Sequence, residues 1–156
     1  MNNSPKRIAS FSVDHDIIEE GIYISRVDAD VTTYDLRTRK PNMDEYMDNL
    51  TMHSVEHMFA TFIRSSEIGD NVLYFGPMGC QTGFYLLVRN SNDRQTVRVV
   101  KETLSKIAEH GGEMFGASRS ECGNYKNLDL DAAKRECRRY LECLEGREND
   151  LIYGGK

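Results

Sequence analysis

Apolar and β-branched residues early in the chain are typical of β-strands. Residues 21–40 read as extended chain, with a turn at Asp28-Ala29-Asp30 and an end at Pro41. The apolar positions that carry this pattern are Ile22, Ile24 and Val27, followed by a Val-Thr-Thr-Tyr run. Two further strands are predicted over residues 71–75 and 84–88, on either side of a sharp turn in GPMGCQTG.

Three other segments show the 3.6-residue period of amphipathic helices. The first predicted helix covers about residues 49–65, with Asp48 as its N-cap. The second covers residues 93–110 and is stopped by Gly111-Gly112, and the third covers residues 129–145. The apolar face of the third helix comprises Leu130, Ala133, Cys137, Tyr140, Leu141 and Leu144.

The order of these elements favours an α+β fold with a single domain over residues 1–156. Strands and helices are mixed without the steady alternation of a parallel sheet, so we expect an antiparallel sheet of about four strands with helices packed on it. A chain of 156 residues with 39% apolar and 29% charged residues has the size and composition of one globular domain.

Charge and composition argue against several classes of function. The net charge of −5 makes nucleic acid an unexpected partner. No apolar run approaches the ~20 residues of a membrane helix, and the first residues lack a signal-peptide core. We therefore expect no membrane association and a cytoplasmic location. In a reducing compartment the four cysteines are expected to be thiols, metal ligands or catalytic groups: Cys80, Cys122, Cys137 and Cys143.

The candidate chemistry lies in the first helix, where TMHSVEHMFA contains His53, Glu56 and His57. At ~100° per residue, His57 lies ~40° from His53 and Glu56 ~60° to the other side, so the three share one narrow face. The bulky apolar side chains of the helix point away from this face. The polar face is therefore either exposed to solvent or enclosed by another polar part of the protein.

Two histidines one turn apart can bind one metal, but a stable site needs a third ligand. The candidates are His15, His110, Cys80 and Cys122. A His/His/Cys set would leave the fourth position open to water or substrate, as in catalytic rather than structural sites. Glu56 would then lie beside the open position as a general acid or base.

Motifs along nearly the whole chain resemble the S-ribosylhomocysteine lyase (LuxS) family. The order His-x-x-Glu-His alone is typical of inverted zinc proteases, but the other motifs favour the lyase. They are SFSVDH at 10–15, DLR at 35–37, Pro41-Asn42, PMGCQTGFY at 77–85 and ECGN at 121–124.

This resemblance implies an assignment of the site residues. His53, His57 and Cys122 would bind one divalent metal per chain, with Fe(II) expected and Zn(II) or Co(II) possible. Cys80 and Glu56 would be the catalytic acid/base groups. A thiolate at Cys80 would be favoured by the metal or by backbone N–H groups of its glycine-rich turn.

The resemblance also implies the reaction and the assembly. The substrate would be S-ribosylhomocysteine, and the products homocysteine and 4,5-dihydroxy-2,3-pentanedione, the autoinducer-2 precursor. Metal-assisted isomerisation of the ribose carbonyl would precede β-elimination. Ser10, His15, Asp35 and Arg37 would bind substrate, and a homodimer would carry the active sites at its interface.

Two other functions remain open from the residues alone. An inverted-motif metallopeptidase would need a carboxylate on another helix as its third metal ligand, and a much larger substrate cleft. A non-catalytic metal-binding protein would use a closed site with Cys80 as the fourth ligand.

Overall fold

The fold consists of one four-stranded antiparallel sheet with three helices packed on it. The computed structural model describes residues 4–146, 149 and 151–153. The strands are β1 (Gly21–Asp28), β2 (Val31–Arg37), β3 (Val72–Pro77) and β4 (Gly83–Arg89), in the spatial order β1-β2-β4-β3. The helices are α1 (Asn49–Arg64), α2 (Asp93–Ala108) and α3 (Leu130–Glu145). None of the helices in these residues has the length and apolarity required to cross a membrane.

The predicted fold class is confirmed, as are the three predicted helices and the predicted strands, although most of their ends differ from the prediction by a few residues. β1 and β2 are joined at Ala29, which adopts a left-handed conformation with φ 53°. Asp48 caps α1 by accepting a hydrogen bond from the Thr51 N–H at 2.8 Å. The predicted start of the third strand is one residue early, because Asn71 belongs to a short 3-10 turn over Gly69–Asn71.

One face of the sheet packs against the helices and forms the hydrophobic core. Antiparallel pairing places Leu36 opposite Phe84 and Tyr34 opposite Leu86, and all four side chains are buried. On the helix side, α1 contributes Val55, Met58, Phe59 and Ile63 to the same core. The core therefore fixes α1, which carries the predicted metal ligands, relative to the central strands.

The opposite face of the sheet carries a different set of side chains. Strand alternation puts Asp35 and Arg37 of β2 on the face opposite the core that α1, α2 and α3 cover, and both side chains are buried. Tyr85 of β4 pairs with Asp35 and is only half-buried. The cover over the two charged residues comes instead from segments outside the sheet and helices.

An ion cluster around the buried Glu136 attaches α3 to the segment just after β2. The Glu136 carboxylate, on α3, accepts hydrogen bonds from Arg39 Nη2 at 2.6 Å and Arg139 Nη2 at 3.1 Å. Burial alone would raise the pKa of Glu136, but the hydrogen bonds from Arg39 and then Arg139 lower it overall. The ionised carboxylate is thus stabilised in the folded state.

We expect Glu136→Gln to lower the free energy of unfolding by about 1–3 kcal/mol near neutral pH, because two guanidinium groups lose their partner. The folded-state pKa lies below the ordinary value of 4.5. The contribution is therefore complete above that value and is lost as the pH falls through the folded-state pKa. Urea denaturation across this range should show the wild type and the variant converging in acid. Glu142→Gln, at an exposed position of α3, is the control; a difference that persists in acid would contradict the ionic origin.

Candidate metal centre and thiol site

The first group of site residues combines α1 with the long segment that joins α2 to α3. One ligand atom from each of His53, His57 and Cys122 lies within 4.8 Å of the other two. Cys122 Sγ is 3.3 Å from His53 Nε2, and the imidazole rings of His53 and His57 meet edge to face with centroids 4.6 Å apart. All three residues are half-buried. The polar face of α1 is thus partly covered by this segment rather than fully exposed to solvent.

Backbone carbonyls orient both imidazole rings. His53 Nδ1 lies 2.8 Å from the Asn127 carbonyl oxygen, and His57 Nδ1 lies 2.9 Å from the Phe115 carbonyl oxygen. A neutral imidazole that donates its Nδ1 hydrogen to a carbonyl keeps the Nε2 lone pair free for a metal. The same arrangement therefore selects one tautomer for both histidines.

The segment that supplies these carbonyls is fixed against α1 at several points. The Asp129 N–H donates to Ser54 Oγ at 2.8 Å, and the Ser54 hydroxyl donates to the Leu50 carbonyl at 2.7 Å. Phe115 packs edge to face on Phe62, with centroids 5.1 Å apart. Ser54 and Phe62 therefore hold the segment over the histidines.

Gly116 allows the closest approach of this segment to the metal ligands. Its φ of +65° is a left-handed conformation that favours glycine. A Cβ built on Gly116 would lie 2.9 Å from His57 Nδ1. A side chain here would push either the ring or the Phe115 carbonyl out of position.

The donor set fits one divalent cation. Zinc–nitrogen bonds of about 2.0–2.1 Å and zinc–sulfur bonds of about 2.3 Å place tetrahedral ligand atoms roughly 3.4–3.6 Å apart. The Cys122 Sγ–His53 Nε2 distance of 3.3 Å is close to this, and all three ligand atoms lie within 4.8 Å of one another. Two neutral imidazoles and one thiolate suit iron, cobalt and zinc alike. With three protein ligands, a fourth coordination position is left for water or substrate. Glu56 is half-buried on α1, one residue before His57.

The second group of site residues surrounds Cys80, in the turn between β3 and β4. The Gln81 N–H donates to the Met78 carbonyl at 3.0 Å and closes the turn. Gln81, rather than a glycine, takes the left-handed conformation, with φ 67°. Its side-chain amide donates to the Met47 carbonyl at 2.9 Å, and the Met47 N–H donates to the Gln81 carbonyl. These bonds attach the turn that carries the exposed Cys80 to Met47, just before α1 begins.

Two side chains lie beside the Cys80 sulfur. The Thr82 hydroxyl is 3.0 Å from Sγ, and Arg37 Nη1 is 4.0 Å from Sγ and 2.9 Å from Thr82 Oγ1. The sequence analysis named the metal or the backbone N–H groups of the turn as the groups that would favour the thiolate. Within the described residues, the hydrogen bonds to this sulfur come from side chains, and the positive charge comes from Arg37.

An open cavity of ≈ 350 Å³ borders Cys80 and collects most of the predicted substrate-binding residues. Ser10, His15 and Arg37 line it together with Cys80 and Tyr85. The His15 ring is held by a 2.8 Å hydrogen bond between Nδ1 and the Val13 carbonyl. Asp35 does not line this cavity. It is buried behind Arg37, and its carboxylate accepts hydrogen bonds from Arg37 Nε and Nη2.

The metal ligands and the thiol group form two separate constellations in one chain. The cavities that border Cys80 contain none of the three metal ligands, and Cys80 is outside the only cluster of possible metal ligands in the described residues. This argues against a closed site with Cys80 as the fourth ligand. His110, an alternative third ligand, is bonded to the Glu113 carbonyl instead.

Several contributors to the site were not predicted from the sequence. Thr82 could have been suspected from its place two residues after Cys80. Gly116 and the carbonyls of Phe115 and Asn127 lie in a segment without periodicity, and Tyr153 lies far along the chain from the Asp35 that it contacts. No local pattern marks these contacts, because they depend on how distant segments pack.

Comparison with known proteins gives a consistent result. A family model described as S-Ribosylhomocysteinase (LuxS) matches residues 8–150. An S-ribosylhomocysteine lyase from Borreliella afzelii is 39% identical over 155 residues, covering 95% of this chain and 99% of the relative. S-ribosylhomocysteine lyases from Desulfotalea psychrophila and Phocaeicola vulgatus are each 40% identical, covering 95% of this chain and 98% and 96% of the relatives.

We expect Gly116→Ala to weaken metal binding about 10–100-fold, because the added Cβ displaces His57 or its carbonyl partner. Competition with a chromogenic chelator for Zn²⁺ or Co²⁺ at fixed pH would measure this. Gly111→Ala is the matched control, since a Cβ at Gly111 has nothing within 4 Å. Equal affinities in the two variants would show that this close approach does not matter for the metal site.

Proposed function

The chain belongs to the S-ribosylhomocysteinase (LuxS) family and is a lyase of that family, and we propose that its two constellations act together in one reaction. The substrate is S-ribosylhomocysteine, and the products are homocysteine and 4,5-dihydroxy-2,3-pentanedione, the autoinducer-2 precursor. The observation that carries the proposal is the three-ligand cluster of His53, His57 and Cys122 with a position left for substrate. We take residues 1–156 as a single catalytic domain.

The three ligands would hold one divalent ion, with Fe(II) as our first choice and Zn(II) or Co(II) as alternatives. A bound ion of this kind supplies Lewis-acid polarisation of a substrate carbonyl oxygen. The thiolate ligand distinguishes the site from a peptidase centre with a carboxylate as its third ligand.

Protein side chains carry out the proton transfers. The open-chain sugar must shift its carbonyl twice along the carbon chain. In each shift the neighbouring hydroxyl-bearing carbon loses a proton and the former carbonyl carbon gains one, while a hydroxyl proton moves to the former carbonyl oxygen. We assign these transfers to the Cys80 sulfur and the Glu56 carboxylate. In the final step a base takes a proton from the carbon next to the carbonyl as the adjacent carbon–sulfur bond breaks. The sulfur leaves with the bonding electrons and accepts a proton to give homocysteine, and the enol that remains tautomerises to the diketone.

The cavity beside Cys80 supplies the substrate contacts. Ser10 and His15 offer a hydroxyl and an imidazole to the sugar, and Arg37 offers a fixed positive charge near the thiol. Burial alone would lower the pKa of Arg37, but the negative charge on Asp35 raises it overall, so the guanidinium stays charged. Asp35 would thus contribute through Arg37 rather than by touching substrate.

We propose a homodimer in which each active site uses residues from both chains. One chain holds the ligands and the thiol in separate constellations, and a second copy could bring its Cys80 to the first chain's metal ligands. The sheet face away from the helices offers apolar surface for such pairing, with Tyr74 54% and Phe11 64% exposed. A C2 dimer would complete two equivalent sites.

A cytoplasmic location fits this chemistry, because Cys80 and Cys122 must stay reduced to act as acid/base group and ligand. The product would serve as a precursor of a quorum-sensing signal, or the reaction would serve to recycle the thioethers of the methyl cycle, or both.

We expect Cys80→Ala and Glu56→Gln each to lower turnover at least about 100-fold while retaining metal, because each removes a proton-transfer group. Homocysteine release from S-ribosylhomocysteine would be followed by thiol titration, with the protein's own thiols subtracted and the metal content measured. Cys143→Ala, on α3, is the control for loss of a cysteine. A metal-loaded Cys80→Ala protein with full turnover would overturn the assignment of Cys80.

Mixing two inactive variants tests whether the sites are shared. Cys80→Ala retains the metal ligands, and His57→Ala retains the thiol, so a mixed dimer regains one complete site only if the two constellations come from different chains. Random exchange should restore roughly one quarter of wild-type turnover. Self-mixed controls should stay inactive. A dimer that exchanges subunits without recovering turnover would place each site within one chain.

A further inference from the structure

The C-terminal segment reaches the thiol site from outside the sheet. The Ile24 N–H of β1 donates to the Leu151 carbonyl at 2.9 Å, and Leu151 forms a parallel bridge with Tyr23. Leu151 has φ 67°, a conformation that is costly for a residue with a large side chain and persists only where surrounding contacts enforce it. The segment is thereby turned so that Tyr153 packs on the face of the sheet that the helices leave uncovered.

Tyr153 is buried there between a ring and a carboxylate. Its ring stacks on Tyr23 with centroids 4.9 Å apart, and its hydroxyl donates to Asp35 Oδ2 at 2.7 Å. Burial raises the pKa of Tyr153, and the nearby Asp35 charge adds to this, so the hydroxyl keeps its proton.

The Asp35 carboxylate controls the direction of the Arg37 guanidinium. Asp35 Oδ1 accepts from Arg37 Nε at 3.2 Å, and Oδ2 accepts from Nη2 at 2.6 Å. Because the guanidinium is planar, this two-point contact fixes the direction of the remaining nitrogen. That nitrogen, Nη1, is the one directed at Thr82 and the Cys80 sulfur.

We propose that Tyr153 is a positioning residue for the thiol site: its hydroxyl fixes the Asp35 carboxylate, which aims Arg37 Nη1 at Cys80. Asp35 Oδ2 is shared by Tyr153 and Arg37, so loss of the hydroxyl leaves this oxygen with one fewer donor in a buried place. A water molecule or a rotated guanidinium would then donate to Asp35 Oδ2, and Arg37 Nη1 would move away from the Cys80 sulfur. The significance of this for turnover rests on the proposed function.

The charge beside Cys80 can be measured without substrate. Iodoacetate is an anion and iodoacetamide is neutral, so the ratio of their rates of Cys80 alkylation reports positive charge near the sulfur. In the metal-loaded full chain, with Cys80 modification followed by peptide mass spectrometry, Tyr153→Phe should lower this ratio about threefold. Tyr23→Phe is the matched control, because it removes the neighbouring hydroxyl, which donates to the Glu19 carbonyl, and should leave the ratio unchanged.

A double-mutant cycle separates positioning from a general loss of stability. Tyr153→Phe should lower kcat/KM about fivefold in the otherwise wild-type protein. It should have little effect when Arg37 is already Gln, because the guanidinium that Tyr153 is proposed to position is then absent. A purely structural role would give independent effects and an unchanged alkylation ratio. That result, with both variants folded by circular dichroism, would overturn the proposal.

The two proposals fail in different ways. If the metal-loaded wild type releases no homocysteine, the proposed function fails, yet the alkylation ratio still tests the position of Arg37. If turnover is present and Tyr153→Phe leaves the ratio unchanged, the proposed function stands and the role of Tyr153 is rejected.

Discussion

Pairing of the two central strands is the constraint on which the thiol site depends. β2 and β4 pair in a register that places Arg37 opposite Gly83, and their backbones approach so closely that a Cβ on Gly83 would lie 2.6 Å from the Leu36 carbonyl oxygen. The contact continues beyond the strands, since the N–H groups of Thr38 and Arg39 both donate to the Thr82 carbonyl. The turn that carries Cys80 is therefore fixed to the end of β2, and Arg37 has the sulfur within reach.

The metal ligands depend on a second constraint, the two-sided character of α1. One side of the helix is apolar and enters the core through Val55 and Phe59, while His53 and His57 occupy another side. Because half-buried imidazoles need partners for both ring nitrogens, a neighbouring segment has to supply acceptors at Nδ1. The irregular connection between α2 and α3 does this with two carbonyls and adds Cys122. Its lack of helical or strand periodicity is consistent with that task, since regular elements use their carbonyls internally.

Local sequence patterns were sufficient to predict the helices and strands, but not to predict how the segments between them pack. The N-cap at Asp48, the turn at Ala29 and the shared face of His53 and His57 depend on neighbours within a few residues, so they could be predicted. The enclosure of that face, the left-handed Gln81 and the burial of Asp35 depend on residues distant in the chain. The resemblance to a known family selected Cys122 from four candidate ligands and added Arg37 as a site residue, but it gave no physical reason for their positions. Contacts in the structure supply that reason. The Asn127 carbonyl bonds to His53 and fixes the segment that carries Cys122, and Thr82 and Asp35 bond to Arg37.

Burial of the Asp35–Arg37 pair has a consequence for the chemistry. A surface ion pair adds little and is screened by salt, whereas a buried pair with shared hydrogen bonds keeps a fixed direction. Proton transfer between carbon atoms needs a thiol whose surroundings stay the same through several steps, since any reorganisation adds to the barrier. Arg37 can keep a constant position beside the Cys80 thiol only while the Asp35 carboxylate is held in place. The core helices α1, α2 and α3 pack on the other face of the sheet, so the cover over the pair comes from other segments. Among the described residues, Tyr153 contributes to this cover by contacting the Asp35 carboxylate directly.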